Sequence, residues 1–179
     1  MNKVSDMCED QITNEPLHNS KLVLGAALLP NDCLRTPKYI TDSLGEFDLD
    51  PCAGEYTTIG KVNLWDGRGE NGLMEKWKGF VWCNPPFSQK EIWAEKMIQH
   101  RNGILILPER GSAPWFGPLA EKASCYFVMG KKINFEGGSS SNNLGSILFP
   151  FGEIAVQRIK ESGLPGHFVR VDWFRQRCT

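Results

Sequence analysis

The most informative part of the sequence is the stretch Phe80-Val81-Trp82-Cys83-Asn84-Pro85-Pro86-Phe87, in which an apolar run meets two prolines. The run 80–83 has the length of a buried β-strand. The prolines cannot donate backbone hydrogen bonds, so the strand must end there. The next four residues, Ser88-Gln89-Lys90-Glu91, fit a capping box and predict the start of a helix. Open α/β sheets bind ligands at such strand ends, so Asn84 and Phe87 are candidate site residues.

The chemistry of this turn suits a planar amine. Pro86 forces Pro85 into an extended conformation, which directs the Pro85 carbonyl and the Asn84 carboxamide. Both groups accept hydrogen bonds, and together they can accept one from each of the two N–H groups of a single amine. An exocyclic amine is a poor nucleophile because its lone pair is delocalised into the base, and two acceptors would favour a pyramidal, reactive nitrogen. Phe87 offers a flat face for stacking a base, which would have to be flipped out of a duplex.

A structural interpretation explains the same residues without a ligand. A strand end, a Pro-Pro stop and a capped helix would produce the same pattern. The order of the other signals in the chain favours the functional interpretation.

Length and composition indicate one globular domain. The chain has 179 residues, of which 41% are hydrophobic and 23% charged, and no apolar run is long enough to span a bilayer. Six cysteines are scattered without a Cys-x-x-Cys pair, which argues against a zinc site and a disulfide scaffold. We expect reduced thiols and a cytoplasmic protein.

Charge is unevenly distributed along the chain. Residues 1–70 hold 6 Lys/Arg against 12 Asp/Glu, whereas residues 71–132 hold 9 against 5. An acidic first part suits a cationic small molecule and a more basic remainder suits phosphates, although solvated faces would give a similar split.

Two further signals lie before the central strand. Thr36-Pro37 predicts a helix over 37–44 with Thr36 as its N-cap. Residues 46–54, Glu-Phe-Asp-Leu-Asp-Pro-Cys-Ala-Gly, predict a short strand followed by a turn of small residues that a ligand can approach closely. Asp50 at the strand end can bind an ammonium group or ribose hydroxyls.

The remaining elements alternate. Residues 55–79 contain turn dipeptides, and the spacing of Leu73 and Trp77 predicts one helical face. Strands are expected at 103–108, 125–129 and 146–151, with an edge strand at 167–171, and helices at 89–99, 114–122 and 154–161. This alternation predicts an α/β sheet with helices on both faces.

Taken together, these stretches resemble phage-type DNA N6-adenine methyltransferases, the small Dam-like proteins of phages and prophages. The resemblance runs from Thr36 to Phe151 and rests on the joint order of its segments. These are Thr36-Pro37, Asp48-Leu49-Asp50-Pro51-Cys52-Ala53, Asn71-Gly72-Leu73 with Trp77, Trp82-Cys83-Asn84-Pro85-Pro86-Phe87, Leu107-Pro108-Glu109-Arg110, Trp115-Phe116, Gly130-Lys131-Lys132-Ile133-Asn134-Phe135 and Ser146-Ile147-Leu148-Phe149.

The resemblance implies a Rossmann-like methyltransferase fold, with a mostly parallel sheet, that uses S-adenosylmethionine and acts on double-stranded DNA. It implies a catalytic turn formed by Asn84, Pro85, Pro86 and Phe87. It further implies cofactor contacts from Thr36, Pro37, Asp50, Pro51, Cys52, Ala53, Gly54, Asn71 and Leu73. No metal is expected, because the cationic methyl donor itself loses its charge in the transfer.

This sequence departs from the family pattern at two positions. Asn71 stands where the family usually has Asp, which would make a cofactor contact there neutral. Phe87 stands where Tyr is also common, which keeps the stacking face but not a hydroxyl hydrogen bond.

The sequence is compatible with other acceptors and with a protein that has no activity. The acceptor can be another planar amine, such as cytosine N4, an RNA base or a protein glutamine, and a non-catalytic DNA-binding relative is a third possibility. Residues 1–30 are expected to form an N-terminal tail, ordered on contact or flexible, and residues 31–179 a single domain. Lys131, Lys132 and the loop 137–143 either contact DNA phosphates or form a solvated loop.

Overall fold

A computed structural model describes residues 34–123, 125–136 and 144–171. The predicted N-terminal tail 1–30, the loop 137–143 and the basic C-terminal end lie outside the described residues.

The described residues contain one seven-stranded sheet. Its strands, in chain order, are β1 (Phe47–Asp50), β2 (Gly60–Asn63), β3 (Val81–Cys83), β4 (Gly103–Pro108), β5 (Cys125–Met129), β6 (Ser146–Phe151) and β7 (Gly166–Arg170). Across the sheet the order is β2-β1-β3-β4-β6-β5-β7. Six of these seven strands, including the edge strand β7, were predicted: β1 from alternating residues and the others from apolar runs.

The strand directions correct the expectation of a mostly parallel sheet. The pairs β1–β2, β1–β3 and β3–β4 are parallel, but β4–β6, β5–β6 and β5–β7 are antiparallel. The sheet is therefore mixed. β6 lies antiparallel between β4 and β5, and an apolar run gives no information about the direction in which a strand inserts.

The described α-helices are α1 (Lys38–Leu44), α2 (Lys90–His100), α3 (Phe116–Ala123) and α4 (Glu153–Glu161). On one face of the sheet, α2 and α3 pack on β1, β3, β4 and β6 around Met97, Leu119 and Phe149. On the opposite face, α1 and α4 pack around Ile40 and Trp82. The prediction of helices on both faces is confirmed.

Both predicted N-caps are wrong. Pro37 is the N-cap residue of α1, and Gln89 is that of α2; neither helix has a side-chain cap hydrogen bond. A 3₁₀ turn at Phe87–Gln89 comes before α2 and displaces its first turn by one residue from the predicted capping box.

The segment between β1 and β3 differs most from prediction. The edge strand β2 was missed because its residues, Gly-Lys-Val-Asn, are largely polar or exposed. No helix forms around Leu73 and Trp77. The Trp77 indole N–H instead donates to the Gly72 carbonyl at 2.8 Å, which ties Trp77 into the core through a turn.

This connectivity creates a topological switch point. After β1 the chain moves outward to β2, then returns to place β3 on the other side of β1. Ligand crevices in open α/β sheets form beyond the carboxyl ends of two such strands. The turns that begin at Asp50 and Asn84 both lie at this point.

Candidate active site

The turn after β3 is held by its own hydrogen bonds. The Gln89 N–H donates to the Pro86 carbonyl at 3.0 Å, and the Lys90 ammonium donates to the Phe87 carbonyl at 3.1 Å. With two prolines restricting φ, the backbone that carries Asn84 and Phe87 has little freedom.

The Asn84 carboxamide has a defined orientation. Its Nδ2 atom lies 3.1 Å from the Leu34 carbonyl oxygen and 3.1 Å from Thr36 Oγ1. A carbonyl oxygen can only accept, so the atom of Asn84 that faces Leu34 must be the nitrogen. The two amide hydrogens are thereby directed to Leu34 and Thr36, and Oδ1, the acceptor of the carboxamide, points away from these two groups.

Phe87 is supported from the side. The ring is half-buried, and Phe135 meets it edge to face with the ring centroids 6.2 Å apart. Phe135 is itself buried against the core cluster that contains Ile133. Edge-to-face pairing fixes the plane of a ring, so the ring of Phe87 has a defined direction.

At the end of β1, Asp50 is a buried carboxyl with few partners. Its residue is only 3% exposed. The Cys52 N–H donates to Oδ1 at 3.2 Å, and the Cys52 thiol also bonds the carboxyl. Burial outweighs these contacts and raises the pKa of Asp50 to about 7. A ligand that brings hydroxyl donors or positive charge would stabilise the ionised form of this carboxyl.

Cys52 joins the two turns. Its sulfur lies 3.7 Å from that of Cys83, the last residue of β3, and it accepts the Asn84 main-chain N–H. Burial and the neighbouring thiol raise the pKa of Cys52 well above its usual value, so the thiol stays protonated at neutral pH. Asp50, Cys52 and Asn84 therefore form one connected set of contacts.

The Asn71-Gly72-Leu73 turn packs on the same region. Asn71 Oδ1 accepts the Leu73 N–H at 2.9 Å, so this carboxamide oxygen stabilises its own turn. A Cβ built on Gly72 would overlap the Pro51 carbonyl oxygen, which shows how closely the turn approaches the residues after β1. Lys96 of α2 fixes the turn from the other side by donating to the Leu73 carbonyl at 2.6 Å.

The predicted site residues thus converge on one region. Asn84 to Phe87 and Asp50 to Gly54 follow adjacent strands, Gly72 packs on Pro51, and Thr36 bonds Asn84. Sequence reasoning missed Leu34 and Cys83 as contacts of the site. Phe135 was recognised only within a family segment, and no role could be given to it because its contact with Phe87 joins positions far apart in the chain.

A cavity of about 480 Å³ lies beside this region, between α1 and residues 56–59. Of the predicted site residues, only Thr36 lines it. The cavity therefore borders the turn after β3 without containing it. In the described part of the chain, no group of three or more His, Cys, Asp or Glu side chains is placed to hold a metal ion.

Comparison with known proteins assigns the family. The family model described as DNA N-6-adenine-methyltransferase (Dam) matches residues 30–160, most of the chain and all of the segments just described. The chain belongs to the Dam family. It is also 30% identical over 162 residues to a DNA N-6-adenine-methyltransferase of Escherichia phage T1, covering 73% of this chain and 67% of the phage protein.

The resemblance found in the sequence is confirmed by both comparisons. No solved structure matches this Dam family chain. No helix in the described ranges has the length and apolar character required to cross a membrane.

Proposed function

We propose that the protein transfers a methyl group from S-adenosylmethionine to the N6 amino group of adenine in DNA. Membership of the Dam family supports both the reaction and the acceptor. The observation that carries the proposal at the residue level is the orientation of Asn84, whose Nδ2 is engaged by Leu34 and Thr36.

We further infer a Rossmann-like arrangement in which the cofactor and the target base meet at the switch point between β1 and β3. The order of strands supports this placement, because the chain reverses direction across the sheet there. The two turns with the most distinctive chemistry follow these two strands.

The residues after β1 fit S-adenosylmethionine. Asp50 is buried with a raised pKa and bonds only Cys52 in the described contacts, so ribose hydroxyls or a positive charge would stabilise its ionised form. Pro51 to Gly54 form a turn of small residues that allows close approach. Pro37, Asn71 and Leu73 border the same region and complete the proposed cofactor contacts. Thr36, which the resemblance also places at the cofactor, bonds Asn84 instead.

When bound, S-adenosylmethionine supplies a methyl group activated by its positively charged sulfur. Asn84 Oδ1 and the Pro85 carbonyl accept the two hydrogens of the adenine amine and favour its pyramidal form. Phe87 stacks on the base, an interaction worth about 1–3 kcal/mol. Alignment of the attacking nitrogen with the methyl group supplies most of the rate enhancement.

The proposed substrate is double-stranded DNA, with the target adenine flipped out of the helix, because a stacked base cannot reach the turn after β3. The excess of Lys and Arg in residues 71–132 supports phosphate contacts. Such a reaction would take place in the cytoplasm of a bacterial host.

The experiment that tests the function identifies the methylated product. Purified protein is incubated with S-adenosylmethionine and unmethylated DNA, and the nucleosides are analysed by mass spectrometry. N6-methyladenine is expected. N4-methylcytosine would instead assign the protein to another planar amine, and no product together with no cofactor binding by calorimetry would indicate a non-catalytic relative.

A further inference from the structure

Thr36 makes a contact that its sequence context does not predict. As the residue before Pro37 it has the pattern of an N-cap, yet the helix cap is Pro37 and makes no side-chain bond. Thr36 is 7% exposed. Its Oγ1 accepts a hydrogen bond from Asn84 Nδ2 across 48 positions of sequence.

We infer that Thr36 is a positioning residue for catalysis: it holds the Asn84 carboxamide so that Oδ1 faces the target amine. This inference rests on the proposed function and adds to it a role for Thr36 through Asn84. The Leu34 carbonyl accepts one amide hydrogen, and Thr36 accepts the other, which fixes the plane of the carboxamide.

The geometric reason is the symmetry of a carboxamide. Rotation by half a turn exchanges oxygen and nitrogen with almost no change in shape. In the rotated form, Oδ1 would face the Leu34 carbonyl oxygen, which places two acceptors against each other. Nδ2 would face the target amine, which places two donors against each other. Smaller rotations, which misalign Oδ1, are opposed only when both hydrogens have fixed acceptors.

A direct cofactor contact by Thr36 is the competing role, and it has a different signature. A residue that positions Asn84 changes the chemical step, whereas a residue that binds the cofactor changes cofactor affinity. Thr36→Val keeps the shape but removes the acceptor, and Thr36→Ser keeps the acceptor. Thr41→Val is a matched control, because Thr41 is also buried and lines the same cavity but bonds the Lys38 carbonyl.

The test measures kcat, the KM for DNA and the Kd of S-adenosylmethionine for each variant. We expect Thr36→Val to lower kcat by about 3- to 10-fold, as expected for one lost hydrogen bond, with the cofactor Kd within about twofold of wild type. Thr36→Ser should recover most of the rate, and Thr41→Val should keep it. Unchanged kcat in Thr36→Val, or a weaker cofactor Kd that accounts for the loss, would overturn the inference.

A second readout does not depend on activity. In nuclear magnetic resonance spectra, the Asn84 side-chain amide protons are assigned by their absence in Asn84→Asp. They should exchange with solvent faster in Thr36→Val than in wild type. Equal exchange would overturn the positioning role even if DNA methylation is confirmed, whereas a wild-type protein that methylates no adenine would overturn the proposed function instead.

Discussion

Gly72 packs directly against the carbonyl oxygen of Pro51, with no space for a Cβ between them. This contact joins the Asn71-Gly72-Leu73 turn to the turn after β1, although strand β2 lies between the two turns in the sequence. The region beyond the ends of β1 and β3 is therefore shaped by backbone packing as well as by side chains.

Gly72→Ala tests the importance of this contact. The added methyl group must displace the Pro51 backbone, so we expect a loss of about 1–3 kcal/mol in the free energy of unfolding and at least about tenfold weaker cofactor binding. Urea unfolding and calorimetry measure the two effects. Gly111→Ala is the control, since a Cβ there meets nothing within 4 Å; equal behaviour of the two variants would contradict the packing argument.

Ionisation of the buried Asp50 carboxyl should lower the stability of the unliganded protein as pH rises. The pKa of Asp50 is about 7 in the folded protein, against an ordinary value of 3.8 for an aspartate carboxyl, so the folded state keeps the proton to higher pH than the unfolded state. The stabilising contribution of the protonated form is complete below about pH 4 and is lost as pH rises to 7 and above.

Asp50→Asn removes this dependence. At pH 8 the variant should be more stable than wild type by up to about 4 kcal/mol, and at pH 4 the difference should disappear. Thermal unfolding of both proteins at the two pH values provides the measurement. A variant that is less stable than wild type at pH 8 would show that the Asp50 carboxylate is well solvated or paired.

The raised pKa of Asp50 also predicts that cofactor binding depends on pH. If ionised Asp50 holds the cofactor, affinity should increase about tenfold between pH 6 and pH 8, since the carboxyl must lose its proton. Calorimetry at the two pH values tests this, and Asp50→Asn should bind weakly at both. An affinity independent of pH in the wild-type protein would exclude Asp50 as the titrating contact.

Phe87→Ala removes the proposed stacking face. Loss of about 1–3 kcal/mol of stacking corresponds to about 5- to 150-fold lower kcat/KM for DNA, while the Kd of the cofactor should not change. Phe87→Tyr keeps the ring and serves as the control. Steady-state kinetics with an adenine-containing duplex separates the two variants, and equal loss in both would argue against stacking.

The sequence predicted most of the elements but not their arrangement. The strands around Val81, Leu105 and Phe149 are continuous apolar runs because they are buried on both faces, and this signal is local. Strand direction, and hence the mixed sheet, depends on connections and packing across the whole domain. The edge strand β2 is largely polar, so its sequence predicted neither a strand nor its place in the sheet.

The site could be predicted as residue types at strand ends, and its internal contacts could not. Asp50 was found at the end of an alternating strand, and Asn84 because it follows an apolar run. The hydrogen bond between Asn84 and Thr36 could not be predicted, because Thr-Pro is the pattern of a helix N-cap. In the structure Thr36 does not cap the helix and instead bonds a residue 48 positions away. Trp77 was misread similarly, because its indole bonds the Gly72 carbonyl rather than lying on a helix face.

In the proposed mechanism, Asn84 holds the target amine and takes no part in binding the cofactor. Its most direct test combines calorimetry with S-adenosylmethionine and mass analysis of methylated nucleosides for Asn84→Ala. We predict a cofactor Kd within about twofold of wild type and a loss of N6-methyladenine formation of at least about 100-fold, the effect of removing a preorganised electrostatic contact. Full methylation of adenine by this variant would show that Asn84 does not hold the target amine.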